Sequence, residues 1–218
     1  MIDLVILGAA GTALDVLDFI DDINQRAATY RCIGLLDDDP AKAGSRVAGV
    51  PVIGPLSHAG QLDARFVDAL GSPSSFRRRA EIIGRTGIAA DRFESIIHPS
   101  AYVSRRSTVG YGAIIYPHVT VGANVTVGQH VIVLANSVLN HDCRIGDYTI
   151  VTSGVCLSGR VTIGRACYLG TGSRVIQDAT IGDGAMVGMG SVVLHDVEPG
   201  NVVVGVPARV LAPSENTA

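Results

Sequence analysis

The sequence contains no tryptophan, and aromatic residues make up only 5% of its 218 residues. Charged residues account for 17% and the net charge is −3, which gives no reason to expect a nucleic-acid partner. No apolar run approaches the roughly 18 to 20 residues of a membrane span, so no membrane partner is expected. The first residues, "MIDLVILGAAG", contain no basic segment, so we expect no signal peptide. The four cysteines have no CxxC spacing, which favours reduced thiols in a cytoplasmic protein.

Small and aliphatic residues dominate instead: the chain is 47% hydrophobic and contains 26 glycines. Residues 1–95 alternate between predicted strands and helices. "DLVILG", "RCIGLLDDD", "GVPVIGPL" and "RFVDALG" have the pattern of strands, whereas the segments that begin at "GAAGTA" and "SPSSF" have that of helices. This alternation predicts a small Rossmann-like domain with a mainly parallel sheet.

Residues 96–218 follow a period of six. Every sixth residue from Ile97 to Val193 is Val, Ile or Leu, and the residue two positions earlier is mostly small. Such a repeat is typical of a parallel β-helix in which the aliphatic residues point inward. A second period, of eighteen, is marked by glycines that each follow an inward residue: Gly110, Gly128, Gly146, Gly164 and Gly182. Eighteen residues are three hexapeptides, so we expect each coil to have three faces.

His141 and Asp142 fall two and three residues after inward Leu139, at an outward-facing corner of the coil. Polar residues are common at solvated corners, so a purely structural role is one interpretation. The other is acyl transfer. Gly159, eighteen residues later, would stack on His141, about 5 Å away by strand spacing, and expose its N–H. Asp142 could orient the imidazole as a general base, and the N–H of Gly159 could stabilise an oxyanion.

The remaining candidate groups are weaker. His118 and His130 have no adjacent carboxylate in the sequence, and His195 with Asp196 falls where the repeat ends, so we expect structural roles. No spacing of metal ligands is present, and no metal is expected. Cys143 precedes inward Ile145 by two residues, so it should point into the coil and be a poor nucleophile.

The glycine-rich turn "GAAGTA" follows a strand and opens a helix, and acidic residues end the next strand. Gly8, Gly11, Thr12, Asp37 and Asp38 could therefore bind the phosphates and ribose of a nucleotide-sugar, although a tight turn without a ligand is the alternative. The spacing departs from GxGxxG, which makes NAD less suitable. The run Arg77–Arg79 could contact phosphate but is more typical of a solvated helix face.

The chain resembles the left-handed β-helix sugar acetyltransferases, the family that contains the sialic-acid O-acetyltransferases and the nucleotide-aminosugar N-acetyltransferases. The resemblance rests on the hexapeptide array and on "VILGAAGTALDVLDFI", "GLLDDDP", "HPSAYVS", "LNHDCRIGDY" and "GVPARVL". It implies that acetyl-CoA is the cosubstrate and that the protein is a homotrimer with active sites between subunits. It also implies site roles: His141 as general base, Asp142 as its partner, the Gly159 N–H as oxyanion donor, and Gly170, Gly188, Pro207 and Arg209 near the coenzyme.

The implied reaction is acetylation of the 4-amino group of a nucleotide-linked 4-amino-4,6-dideoxy sugar, with GDP-perosamine favoured, in O-antigen or surface-polysaccharide biosynthesis. A UDP-linked amino sugar or a sugar hydroxyl, such as that of a sialic acid, is an alternative acceptor. Some relatives carry a second histidine nine residues after the first, where this chain has Ile150. Alternatives of another class are a non-catalytic scaffold, a metal-dependent β-helix of the γ-carbonic-anhydrase kind, and a nucleotide-sensing module.

Overall fold

The structure, a computed structural model, describes residues 1–211. Residues 212–218, which the sequence analysis assigned to the second domain, lie outside the described part. The N-terminal part contains two α-helices, α1 (Gly11–Arg26) and α2 (Arg79–Gly84), and five strands: β1 (Ile2–Leu7), β2 (Tyr30–Leu36), β3 (Arg46–Val47), β4 (Val50–Gly54) and β5 (Arg65–Asp68). Short 3-10 segments cover Pro40–Lys42, Leu56–Gln61, Phe76–Arg78 and Ala90–Arg92.

These strands form one sheet in the order β3–β4–β2–β1–β5, parallel except for the β3–β4 pair. Leu4–Leu7 of β1, which lies between β2 and β5, are completely buried, because both edges of β1 are paired and both of its faces are covered. The mainly parallel sheet predicted from the sequence is confirmed.

The rest of the described chain is a parallel β-helix built from very short strands. They are β6 (Ile96–Ile97), β7 (Tyr102–Val103), β8 (Thr108–Val109), β9 (Ile114–Ile115), β10 (Thr120–Val121), β11 (Thr126–Val127), β12 (Ile132–Val133), β13 (Val138–Leu139), β14 (Arg144–Ile145), β15 (Ile150–Val151), β16 (Cys156–Leu157), β17 (Thr162–Ile163), β18 (Tyr168–Leu169), β19 (Arg174–Val175), β20 (Thr180–Ile181), β21 (Met186–Val187), β22 (Val192–Val193), β23 (Val202–Val204) and β24 (Arg209–Val210).

Strands eighteen residues apart pair in register from β6 to β22, which produces three sheets. At the end of the coil, β23 pairs with β21 and β24 pairs antiparallel with β23. The covered sheet contains β6, β9, β12, β15, β18, β21, β23 and β24. The threonine sheet contains β8, β11, β14, β17 and β20, and the Val138 sheet contains β7, β10, β13, β16, β19 and β22. The predicted three-faced coil is therefore confirmed.

The predicted inward residues are buried from Ile115 to Val193. The prediction was wrong for Ile97, which is 37% exposed, and incomplete for Val103 and Val109, which are half-buried. All three lie in the first coil, whose open end has no further coil beneath it to complete the packing. The corners are tight: Asn124, Asn136 and Asp142 adopt left-handed φ values of 58°, 61° and 60°.

The covered sheet is named for its outward side, which the N-terminal part covers. Ile96, Ile114, Ile132 and Ile150 point outward from successive coils and are all buried. A Cβ added to Gly71 would lie 2.8 Å from Ile150 Cδ1, so the loop after β5 presses directly on this sheet.

Polar contacts also hold the junction between the N-terminal part and the β-helix. Arg79 is completely buried and ion-pairs with equally buried Asp68 at 2.7 Å, while donating a hydrogen bond to the carbonyl of Tyr148. Arg77 donates to the carbonyls of Gly184 and Gly200. The expectation that Arg77–Arg79 form a solvated helix face was thus wrong for Arg79, which turns toward the β-helix; Arg77 and Arg78 remain exposed, although Arg77 also contacts the β-helix. No helix in residues 1–211 is long and apolar enough to cross a membrane.

Candidate active site

His141 and Asp142 occupy the corner after β13, as the sequence predicts. The Nδ1 atom of His141 lies 2.8 Å from Oδ2 of Asp142, and both side chains are about half exposed. Asp142 has φ 60°, a left-handed conformation that Asp and Asn adopt more readily than most residues. This backbone turn places the two adjacent side chains within hydrogen-bonding distance of each other.

The charge state of Asp142 sets the tautomer of His141. Hydrogen bonds from His141 and Asn124 hold the pKa of the Asp142 carboxyl below its usual range, and the nearby Arg160 charge adds to the effect. An ionised carboxylate can only accept hydrogen bonds, so Nδ1 carries the proton. Nε2 of neutral His141 is then unprotonated and can accept a proton from a substrate.

Gly159 lies directly above the imidazole in the next coil. A Cβ at this position would sit 2.6 Å from Nε2 of His141, so no larger residue fits without displacing the ring. The peptide is fixed, because the Gly159 carbonyl accepts from Asp178 N at 3.1 Å and the neighbouring Arg160 N donates to the His141 carbonyl at 2.9 Å. The N–H of Gly159 itself has no protein acceptor within residues 1–211.

A column of side chains that the sequence analysis missed runs beside His141. Asn124, Asp142, Arg160 and Asp178 are spaced by eighteen residues and stack at one corner of successive coils. Asn124 Nδ2 donates to Asp142 Oδ1 at 3.1 Å, and Arg160 makes two hydrogen bonds to Asp178, at 2.6 and 2.9 Å. The spacing of eighteen that located Gly159 would also have located this column.

Cys143, which follows this corner directly, does not offer a nucleophile. Cys143 is buried inside the coil, and its Sγ donates to the Ser158 carbonyl at 3.1 Å. Burial raises the pKa of the Cys143 thiol, which suppresses the thiolate form. The inward orientation predicted for Cys143 is confirmed.

Of the other histidines, His130 has structural surroundings. His130 is buried, stacks on Tyr148 and lies 3.3 Å from Asp68, a carboxylate brought near by the fold. Asp196, next to His195, accepts a hydrogen bond from the backbone N–H of Thr180. Within the described ranges, no group of three His, Cys, Asp or Glu side chains is placed to hold a metal ion.

The glycine-rich turn retains free donors. Gly8 has φ 101°, α1 begins at Gly11, and no side chain caps its first turn. The backbone N–H groups of Gly11 and Thr12 have no protein acceptor in the part of the chain that is described. Exposed amides at a helix N-terminus suit a phosphate group.

The two acids predicted to bind substrate already accept hydrogen bonds from the protein. Asp37 accepts from Ala9 N, Asp39 N and Lys42 Nζ, and Asp38 accepts from Leu56 N. Burial opposes ionisation, but the hydrogen bonds from Lys42, Asp39 and Ala9 hold the pKa of Asp37 below its usual range. Asp37 therefore holds the turn and positions Lys42, the sole lysine of the sequence, which the sequence analysis overlooked.

The predicted coenzyme residues lie elsewhere. Gly170 and Gly188 follow strands of the covered sheet, and their N–H groups donate to the carbonyls of Val187 and Val203. Pro207 and Arg209 belong to the terminal segment, which is held by a hydrogen bond from Ala208 N to the Val192 carbonyl. The structure thus brings together His141, Asp142 and Gly159, while the glycine-rich turn and the coenzyme residues occupy other parts of the same chain.

Comparisons with known proteins identify the family of the chain. The family described as bacterial transferase hexapeptide (six repeats) matches residues 124–159 and 160–198. PerB from Caulobacter crescentus, solved in complex with CoA and GDP-perosamine, is 30% identical with a TM-score of 0.83, over 96% of this chain and 97% of that chain. The acetyltransferase domain of PglB from Neisseria gonorrhoeae FA1090, solved with acetyl coenzyme A, is 29% identical with a TM-score of 0.84, over 96% of this chain and 98% of that chain.

WeeI from Acinetobacter baumannii AYE shares the fold at 24% identity, with a TM-score of 0.81 over 97% of this chain and 100% of that chain. A search of curated protein sequences gives no match. Because a relative 30% identical extends over nearly the whole of both chains, this chain belongs to the hexapeptide-repeat sugar acetyltransferases. It is accordingly an acetyltransferase with a left-handed β-helix, and the resemblance inferred from its sequence is confirmed.

Proposed function

We propose that the protein transfers the acetyl group of acetyl-CoA to the 4-amino group of a nucleotide-linked 4-amino-4,6-dideoxy sugar, with GDP-perosamine as the favoured acceptor. The observation that carries the proposal is the His141–Asp142 pair beneath the unpaired N–H of Gly159. The CoA and GDP-perosamine bound to PerB support the choice of substrates.

The reaction needs no covalent acyl-enzyme. The neutral amine attacks the thioester carbonyl while Nε2 of His141 accepts the proton that the amine loses. The N–H of Gly159 donates to the oxyanion of the tetrahedral intermediate. When the carbon–sulfur bond breaks, the imidazolium returns the proton to the CoA sulfur, and Asp142 stabilises the imidazolium in between.

We assign the two substrates to the two domains that the sequence predicts. Residues 1–95 would bind the nucleotide-sugar, and residues 96–218 would bind acetyl-CoA and carry out the transfer. At the glycine-rich turn, the amides of Gly11 and Thr12 and the ammonium of Lys42 offer donors to the diphosphate. Because Asp37 is occupied by Lys42 and backbone amides, we assign it a supporting role at this turn.

We also propose a homotrimer with the active sites between subunits. Within one chain, the glycine-rich turn is attached to the covered sheet, whereas His141 lies at the corner after the Val138 sheet. A neighbouring subunit would bring the two halves together. Light scattering on a sizing column measures this: a trimeric mass supports the proposal, and a monomeric mass of an active enzyme contradicts it.

A UDP-linked 4-amino sugar is the second candidate acceptor, and the hydroxyl of a sialic acid is the third. The same base and coenzyme serve all of them, because the UDP-linked sugar differs from GDP-perosamine in its nucleoside and sugar, and the sialic acid differs in its nucleophile. A cytoplasmic location is part of the proposal, since the two expected substrates are soluble metabolites.

The decisive experiment measures CoA release from acetyl-CoA with a panel of acceptors, using the wild-type enzyme and His141→Asn. Turnover with GDP-perosamine, lost in the variant, supports the proposal. Turnover only with UDP-sugars or sialic acid would retain the chemistry and replace the acceptor. His118→Asn is a control, because His118 lies at a different corner from His141. No release with any acceptor would contradict the proposed function.

A further inference from the structure

Asn124 stands one coil below Asp142, and the two residues share an unusual backbone conformation. Their φ values are 58° and 60°, so their side chains leave the corner in parallel directions. Asn124 Nδ2 lies 3.1 Å from Oδ1 of Asp142, while Oδ2 of the same carboxylate lies 2.8 Å from Nδ1 of His141. Each carboxylate oxygen thus has one partner, and the plane of the carboxylate is fixed.

The direction of this hydrogen bond follows from charge. Asp142 is ionised and can only accept, so the amide group of Asn124 must present its nitrogen, not its oxygen. The asparagine is itself neutral and therefore fixes the carboxylate without neutralising it. The full negative charge of Asp142 remains available to the imidazolium that forms during turnover.

We propose that Asn124 is a positioning residue for acetyl transfer, which holds Asp142 in the rotamer that orients His141. This inference rests on the proposed function. It predicts that loss of Asn124 impairs the chemical step and leaves coenzyme binding intact. If the Asp142 side chain rotated, it would no longer hold the imidazole ring of His141. A smaller fraction of the enzyme would then have the His141 base oriented toward the amine.

The charged groups around the pair are few. In the same column, Arg160 lies one coil above Asp142 and is engaged by Asp178, while Arg106 lies two coils below. Beside them, the column of His141 contains Ala123 below and Gly159 above, both uncharged. Arg106 lies one coil below position 124 and Arg105 stands beside it, so these two arginines would offset part of a new negative charge at position 124.

The chain offers a matched control in Asn136. It is exposed and has φ 61°, like Asn124, but it lies at another corner, and its side chain makes no hydrogen bond within the described chain. Glycine accepts a positive φ without strain, so Asn124→Gly and Asn136→Gly remove the same atoms at similar backbone cost. Only the first removes a partner of Asp142.

The first measurement is steady-state kinetics on the full-length enzyme. We expect Asn124→Gly to lower kcat about ten-fold, the effect of losing one hydrogen bond to an ionised group. The KM for acetyl-CoA should stay within about two-fold in both variants, and Asn136→Gly should keep wild-type kcat. Equal losses in the two glycine variants would overturn the proposal and indicate a role for asparagine in the coil alone.

The second variant, Asn124→Asp, keeps the size and the left-handed preference of the residue but adds a negative charge. This charge stabilises the imidazolium form of His141, so the acid limb of the kcat profile should move to higher pH. An unshifted limb would contradict the proposal, because position 124 would then not lie close enough to the pair to affect the protonation of the base.

The final measurement is independent of turnover. Nitrogen-15 NMR of labelled protein reports the tautomer of neutral His141, with the signal assigned by its absence in His141→Asn. We expect the Nδ1–H form in the wild type and a mixture of tautomers in Asn124→Gly. If no acceptor is acetylated, the proposed function fails while this spectrum still decides the role of Asn124; an unchanged tautomer would refute it.

Discussion

Gly159 touches the imidazole of His141 from the next coil, so closely that a Cβ at Gly159 would lie 2.6 Å from Nε2. The base and the proposed oxyanion donor are therefore neighbours across one strand spacing, although eighteen residues separate them in the sequence. The geometry of the site depends on how two coils stack, since neither residue alone defines it.

Gly159→Ala should abolish most of the activity while leaving the fold intact. The added methyl group must displace the His141 ring and would also crowd the N–H, and loss of an oxyanion donor alone costs about 10²- to 10³-fold in kcat. Kinetics with circular dichroism would measure both effects. Gly84→Ala is the control, because a Cβ at Gly84 meets nothing within 4 Å. Wild-type turnover in Gly159→Ala would remove Gly159 from the mechanism.

Asp142→Asn should reduce kcat by roughly 10²- to 10⁴-fold, because the histidine loses the partner that fixes its tautomer. The pH dependence has a definite sign. The carboxylate stays ionised across the assay range and stabilises the imidazolium, so its removal favours the neutral ring and moves the acid limb to lower pH. A pH–rate profile of kcat measures this, and a limb moved to higher pH would contradict the assignment of Asp142.

Lys42→Met should raise the KM for the nucleotide-sugar about ten-fold with little effect on the KM for acetyl-CoA, if its ammonium contacts the diphosphate. Chemical labelling tests the same contact. Lys42 is the sole lysine, so an amine-reactive reagent should modify it and the N-terminus only. Bound nucleotide should protect Lys42 in the intact mass spectrum. Labelling that nucleotide leaves unchanged would argue against this contact.

Arg79→Met should destabilise the protein by about 3 to 5 kcal/mol, because it leaves the completely buried Asp68 carboxylate without its cation. Arg78→Met is the matched control. Arg78 is 64% exposed and pairs with Glu81 on the surface, so its loss should cost less than about 1 kcal/mol. Urea unfolding measures the free energy of unfolding of both variants. Equal losses of stability would show that the buried Arg79–Asp68 pair contributes no more than the exposed pair.

The sequence predicts the β-helix in detail because each coil must repeat the spacing of the coil beneath it. The inward aliphatic positions, the three faces and the contact between His141 and Gly159 all follow from periods of six and eighteen. Ile97 has the inward spacing but is exposed, because the first coil has no neighbouring coil on one side. Periodicity alone does not predict this end effect.

The junction between the two parts has no period, and the sequence analysis misjudged it. Arg79 stands in a run of three arginines, and only tertiary packing distinguishes it from exposed Arg78. The contact of Asp37 with Lys42 likewise depends on where a short 3-10 segment folds back. In contrast, the hydrogen bond between Asn124 and Asp142 could have been predicted from the sequence, because the two residues are eighteen positions apart.

Because the coils pair in register, each coil adds the same fixed distance to the length of the β-helix. Each added coil moves the terminal segment away from the His141 corner by about 4.8 Å, the distance between paired strands. An insertion of eighteen residues would preserve every column but lengthen the molecule by one unit, whereas any insertion that is not a multiple of six would turn the inward residues outward. If the columns are to be preserved, the span between the catalytic corner and the end of the coil can therefore change only by whole coils.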